Sequence, residues 1–203
     1  MVSIIALLCI CSTTFAQSNG ETNTKTGIVL ANEHKIVMEA RRSSMNFDKI
    51  EVSAAIRIIV EERTTGNIIV RAPQSVMPYI SLKVKDETLY ATLLRGTPVS
   101  RRSNLLAEVY IPNNGRTCEI EAESAARVVI KPTLVAEIKA KSAASVRCRM
   151  EVKKLDVELS SASTANLSGV AQRGEVEISG ASTLQASKLN LTTLDLECTG
   201  ASR

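Results

Sequence analysis

Apolar and polar residues alternate through most of the second half of the chain, from Cys118 to Arg203. An alternation of period two predicts β-strands, because successive side chains of a strand point to opposite faces. A short phrase of small residues, such as Ser-Ala-Ala or Gly-Ala-Ser, interrupts the alternation again and again. Each copy is centred on an alanine, and the copies follow one another about 19 residues apart; the alanines are Ala125, Ala143, Ala162, Ala181 and Ala201.

A repeat of this length with the periodicity of a strand is typical of a solenoid, since one coil cannot bury its apolar side alone but a stack of coils can. We therefore expect an all-β fold, a parallel β-helix (β-solenoid) with coils of about 19 residues stacked roughly 4.8 Å apart. Irregular strands and hairpins should precede the regular coils. The phase of the alternation slips at each small-residue phrase, which predicts that the five alanines form a structural column filling the inside of a corner.

The chain divides into segments of different composition. Residues 1–16 carry an apolar run and a small-x-small cleavage site, which predict a signal peptide. Residues 17–46 form a polar arm, and residues 47–203 a single β-solenoid domain. Its coils should be irregular over residues 47–115 and regular over residues 116–203. The last repeat stops in mid-coil, so we expect a truncated or covered end, with self-association through residues 189–203.

Composition narrows the range of functions. The net charge of +4 comes from 25 basic and 21 acidic residues, a balance too weak and too evenly spread to indicate a nucleic-acid partner. Only 2% of the residues are aromatic, which fits a narrow aliphatic interior. The N-terminal apolar run is too short to span a membrane. Cys118, Cys148 and Cys198 lack the close spacing of a zinc site, and their redox state stays open.

The outward-facing columns are where function could lie. Glu158, Glu177 and Glu197 fall on successive coils, with Ser160 and Ser179 beside them, and predict an outward binding face. Such carboxylates can hold a hard cation such as Ca²⁺, although a solvated polar face is the plainer interpretation. Neither a catalytic constellation nor a phosphate loop is present, and we expect no cofactor and no tight metal site.

Several segments, taken in order, resemble a known family. They are residues 47–52 (FDKIEV), 67–70 (NIIV), 84–89 (VKDETL) and 109–112 (VYIP), followed by the small-residue repeats. Together they resemble the DUF2807 family of Bacteroidetes type, described as "putative auto-transporter adhesin head (GIN) domain" proteins, over residues 47–203. The resemblance implies an exported parallel β-helix. It implies no established activity and supplies no functional residues.

These observations favour an exported, non-catalytic β-solenoid that acts as an adhesin-like binding module at the cell envelope. It would be periplasmic, displayed on the outer surface or secreted. Its partner would be an envelope protein or a surface polysaccharide of unknown identity. The alternatives are a carbohydrate-active β-helix enzyme and a purely structural envelope protein.

Overall fold

The computed structural model describes residues 35–62, 66–98 and 106–203. The predicted signal peptide and most of the polar arm lie outside the described residues. Within them the fold is all-β: thirteen strands form one mixed sheet, and a turn of 3₁₀ helix lies at Met77–Tyr79. The strands are β1 Ile36–Arg41, β2 Lys49–Val52, β3 Ile56–Glu61, β4 Ile68–Pro73, β5 Ile80–Lys85, β6 Thr88–Leu93, β7 Ala107–Pro112, β8 Glu119–Ala122, β9 Arg127–Thr133, β10 Glu137–Ala140, β11 Ser145–Leu159, β12 Thr164–Ile178 and β13 Thr183–Cys198.

The second half of the chain pairs in parallel, and the pairing follows the sequence repeat. Each repeat contributes one segment to each of two ladders, and the long strands β11, β12 and β13 run through both. Like residues therefore lie on like residues. The first ladder stacks Ile120, Ile138, Val157, Val176 and Leu196, and the second stacks Val128, Val146, Ala165 and Leu184.

The first half of the chain extends the same two ladders at their other end. Strand β2 lies between β8 and β6, and strand β3 lies between β9 and β7, all in parallel. Antiparallel strands follow outside them: β5 on β6, β4 on β7 and β1 on β4. The Asn114 side chain helps to fix this arrangement, because its amide donates to the carbonyl of Phe47 at 2.7 Å and its oxygen accepts from the amide of Thr117 at 3.1 Å.

The core lies between the two ladders and is almost entirely aliphatic. One continuous apolar cluster runs from Phe47 to Ile178, and the alternation of the strands supplies it from both sides. Phe47 is fully buried within it. The cluster thins towards β13, where Leu184, Leu189 and Leu191 are only partly buried and Leu194 and Leu196 are exposed.

The corners differ from the prediction. All five predicted corner alanines lie at corners but are exposed, so the prediction that they fill the interior is wrong. The buried position is the next residue along the chain: Ala126, Ala144, Ser163 and Ser182. The inward side chains therefore stay at every second position through the corner, as in Ala122 and Ala126, and the alternation does not shift by one residue.

The backbone explains this outcome at the first three corners, where two consecutive residues have positive φ. Ser124 and Ala125 both have positive φ, +54° and +65°, and the amide of Ala126 donates to the carbonyl of Glu123 at 3.0 Å. Two consecutive left-handed residues closed by such a bond form a tight primed turn, which projects its two central side chains outwards. The residue that follows the turn is then the one that points back into the core.

Candidate functional site

The two ladders present two outer surfaces, and charge is divided between them. The acidic face consists of the outward residues of β2, β8, β10 and the C-terminal parts of β11, β12 and β13. In-register pairing places its carboxylates on adjacent strands, where they outnumber the lysines among them, Lys49, Lys139, Lys141 and Lys154. These carboxylates are Glu51, Glu119, Glu121, Glu123, Glu137, Asp156, Glu158, Glu175, Glu177, Asp195 and Glu197.

One end of the acidic face is partly neutralised by a compact ion-pair network. Lys49 Nζ lies 2.8 Å from Glu119 and 2.9 Å from Glu121. These contacts raise the pKa of Lys49 well above its usual value, and the same hydrogen bond lowers the pKa of Glu121. The pKa of Glu51 is raised instead, first by burial and then by the charge of Glu121. Lys49 therefore balances part of the negative charge at this end.

The other end contains the residues that the sequence singled out. Glu158, Glu177 and Glu197 are paired in register on β11, β12 and β13, as the repeat predicts. Glu177 and Glu197 are exposed, and Glu158 is half-buried. Like charges directly opposite one another on neighbouring strands repel, and Lys141 at 4.0 Å from Glu158 relieves this only in part.

The two serines of the predicted face are tied to the backbone ladder. Ser179 Oγ donates to the carbonyl of Leu159 at 3.4 Å, and the amide of Ser160 donates to the carbonyl of Ala140 at 3.0 Å. Both residues are half-buried. Their contacts are those of a strand end that hydrogen-bonds to the neighbouring strand. The carboxylates beside them are therefore the exposed functional groups of this end.

The basic face was not anticipated from the sequence. It consists of the outward residues of β3, β7, β9 and the N-terminal parts of β11, β12 and β13. Its centre is a basic patch of four exposed side chains on two adjacent strands, Arg127 and Lys131 on β9 and Arg147 and Arg149 on β11. The signal was present in the sequence as basic residues at alternate positions, but it becomes a patch only when the two strands are known to pair.

The surroundings of the basic patch differ on its two sides. Towards β7, Arg57 and Arg71 are each 3.0 Å from a carboxylate oxygen of Glu108, which balances one of their two charges. Towards β13, the same columns continue mainly with uncharged polar residues, and Asn166 Nδ2 donates to Gln185 Oε1 at 2.9 Å. The exception is Lys188, which pairs with Ser168 in the column of Arg149 and is exposed. The basic patch thus lies between a partly neutralised arginine cluster and a strip of polar side chains that ends in one further cation.

The three cysteines in the described part of the chain differ in their exposure to solvent. Cys118 is half-buried, Cys148 is buried and Cys198 is exposed. The pKa of Cys118 is raised, mainly by burial and then by Asp48.

Among residues 35–62, 66–98 and 106–203, no group of three His, Cys, Asp or Glu side chains is placed to hold a metal ion. Nor does this part of the chain contain a helix long and apolar enough to cross a membrane.

The class of protein is defined by its family. The model of DUF2807, "Putative auto-transporter adhesin, head GIN domain", matches residues 46–203, and the chain belongs to this family. The resemblance seen in the strand motifs is thereby confirmed. No match was found among curated proteins.

Solved structures with the same fold carry similar descriptions. A "putative adhesin" from Parabacteroides merdae has 16% identity and a TM-score of 0.62, with 84% of this chain and 80% of the other covered. A "putative adhesin" from Parabacteroides distasonis has 16% identity and a TM-score of 0.63 over 84% and 81%. A "putative lipid binding protein" from the same species has 13% identity and a TM-score of 0.55 over 82% and 80%. At these identities the likeness shows the all-β fold.

Proposed function

We propose that the chain is an exported, non-catalytic binding module of the cell envelope, built as a parallel β-solenoid of about 19-residue coils. The parallel register of β8 to β13 supports the solenoid, since equivalent residues of successive repeats pair with one another. Residues 47–203 form its single domain, and residues 1–16 direct its export to the periplasm, the outer surface or the medium. The adhesin description of the family supports a binding role.

The observation that carries the proposal is the division of charge between two outer sheet surfaces. Every second residue of a β-strand faces outwards, so the outward side chains of paired strands form regular rows across the sheet. On this protein those rows are rich in carboxylates on one surface and carry exposed arginines on the other. Broad surfaces of this kind suit recognition of an extended partner, such as an envelope protein or a surface polysaccharide.

The outward residues Glu158, Glu177 and Glu197, with Ser160 and Ser179, belong to this proposal as one of its two surfaces. Their carboxylates are exposed or half-exposed and lie on adjacent strands. They are suited to a cationic partner at long range, where exposed charges act mainly on the rate of encounter. The acidic face and the basic face would thus be complementary to different partners.

The test is a pair of assays on the purified chain. In the first, binding to isolated envelope polysaccharides and to envelope proteins is measured by surface plasmon resonance. In the second, the same polysaccharides are incubated with the chain, and new reducing ends or unsaturated ends are assayed. We expect saturable binding without turnover. Cleavage of any polymer would replace the proposal with the carbohydrate-active enzyme, and absence of binding to all of them would favour a structural envelope protein.

A further inference from the structure

We infer that the basic patch formed by Arg127, Lys131, Arg147 and Arg149 binds an anionic polysaccharide, of the class whose charge is carried by uronic-acid carboxylates. The inference rests on the proposed function, since it names the surface and the chemistry of one partner of that binding module. It is carried by the juxtaposition of four cations on two paired strands.

The geometry of the patch follows from the pairing of β9 with β11. Arg127 lies opposite Ser145 and Val129 lies opposite Arg147, so these two arginines are staggered across the ladder, whereas Lys131 and Arg149 lie beside each other where the register shifts. Residues two apart on a strand are roughly 6.6 Å apart, and paired strands lie about 4.8 Å apart. The four side chains therefore cover an area roughly 13 Å long and one strand spacing wide, which suits a polymer that lies across the surface.

The patch carries an excess of positive charge, although Glu151 follows Arg149 as the next exposed outward residue of β11. Across the described ranges, which leave out residues 63–65 and 99–105, no carboxylate lies within ion-pair distance of any of the four cations. Arg57 and Arg71 show the contrast, because both are held by Glu108 at 3.0 Å. Like charges on neighbouring strands repel, and an external polyanion would convert that repulsion into attraction.

The side chains favour carboxylates on a sugar backbone. Arginine remains charged at all relevant pH values, and its planar fork matches a carboxylate with two parallel hydrogen bonds. Next to the arginines, Asn166 pairs with Arg147 in register and Ser168 pairs with Arg149. Amides and hydroxyls are donors and acceptors for sugar hydroxyl groups. A lipid surface would instead favour aromatic or large apolar residues among the cations. Val129, which lies between the cations, is half-buried, and the exposed Leu134 and Val170 lie at the edge of the patch.

The acidic face adds direction to the binding. Its carboxylates lie on the opposite side of the core, and they repel the same polymer that the basic patch attracts. A polyanion is therefore admitted on one surface only. The protein would lie with β9 and β11 against an anionic glycan layer and with β8 and β10 away from it.

Polygalacturonate is the probe, with dextran as the uncharged polymer, and binding of the full chain is measured by isothermal titration calorimetry at low and high ionic strength. The test variant is Arg147→Gln with Arg149→Gln. The matched control is Lys139→Gln with Lys141→Gln, which removes the same charge at the same spacing from the acidic face. We expect the test variant to bind about tenfold more weakly, the control to bind within about twofold of the natural chain, and salt to weaken all binding.

Several outcomes would overturn the inference. These are equal affinity of the test variant and the natural chain, an equal loss in the control variant, and no binding of polygalacturonate by a chain that is folded by circular dichroism. Binding only of duplex DNA or of vesicles rich in phosphatidylglycerol would assign the patch to another partner. Arg147→Lys with Arg149→Lys guards against a folding defect, because it keeps the charge and should retain part of the binding. If an uncharged glycan or an envelope protein binds while polygalacturonate does not, the inference fails and the proposed function stands.

Discussion

Replacing Gly169 with alanine should destabilise the fold more than any other single methyl addition at a glycine. Gly169 lies in β12 and pairs with Met150 of β11, and its φ is +115°. A Cβ atom placed there would lie 1.9 Å from the carbonyl oxygen of Met150, well inside van der Waals contact. The obstacle is backbone in the middle of a ladder, so no side chain can rotate away to relieve it.

The magnitude can be built from two effects. A non-glycine residue in a sparsely populated backbone region costs about 1–3 kcal/mol. Relieving the contact requires Met150 and Gly169 to separate, which weakens at least one ladder hydrogen bond, each with a net contribution of about 1 kcal/mol. We therefore expect a loss of about 3 kcal/mol. For a chain of this length, each kcal/mol lowers the Tm by about 2–4 °C, so Gly169→Ala should melt roughly 6–12 °C below the natural chain.

The control is Gly66→Ala, the same substitution at a glycine whose φ is not in the left-handed region and whose added Cβ would have no heavy atom within 4 Å. We expect a change below about 1 kcal/mol, because an alanine that the backbone conformation accepts acts mainly on the unfolded chain. Thermal unfolding followed by far-UV circular dichroism compares the two, and equal melting temperatures would refute the argument from backbone approach.

Two further predictions concern the corner and the ion-pair network. Ala144→Leu should lower the free energy of unfolding by about 1–3 kcal/mol because the side chain of Ala144 is buried. Ala162→Leu should lower it by less than about 1 kcal/mol because Ala162 is exposed. Urea unfolding measures both, and a larger loss for Ala162→Leu would mean that the corner alanines do fill the interior. Lys49→Gln should lose about 1 kcal/mol at neutral pH. Because the folded-state pKa of Glu121 is lowered, its contribution is present above the ordinary carboxyl value of 4.5 and is lost as the pH falls through the folded value. The deficit of the variant should therefore shrink in acid, and a deficit independent of pH would contradict this.

The regular half of the fold could be predicted because its information is local. Alternation gives strands, and a fixed repeat gives parallel pairing in register, so Ile120 and Ile138 are neighbours as the repeat predicts. The outward column of Glu158, Glu177 and Glu197 follows from the same register. The prediction needs no knowledge of distant contacts, since equivalent residues of neighbouring repeats pair with one another.

The corners and the first half could not be predicted in the same way. A turn with two consecutive left-handed residues leaves no mark in the hydrophobic pattern, because serine and alanine have no special preference for positive φ. The placement of β2 beside β8 joins segments that are far apart in the sequence and share only the small-residue corner. The antiparallel strands β4 and β5 also interrupt the sequence order of the stack.

The distribution of charge over the surface could not be predicted from the composition. A net charge of +4 from nearly equal numbers of acids and bases suggests an even mixture. The corner separates the two signs of charge. In each repeat every second side chain points into the core, both before and after the turn, and must be apolar or small. The side chains between them point outwards, on the acidic face before the corner and on the basic face after it. The residues before the corner, such as Glu121 and Glu158, can thus be selected for acidity independently of those after it, such as Arg127 and Arg147. A repeat that folds by one rule can in this way carry two surfaces of opposite charge without any cost to its core.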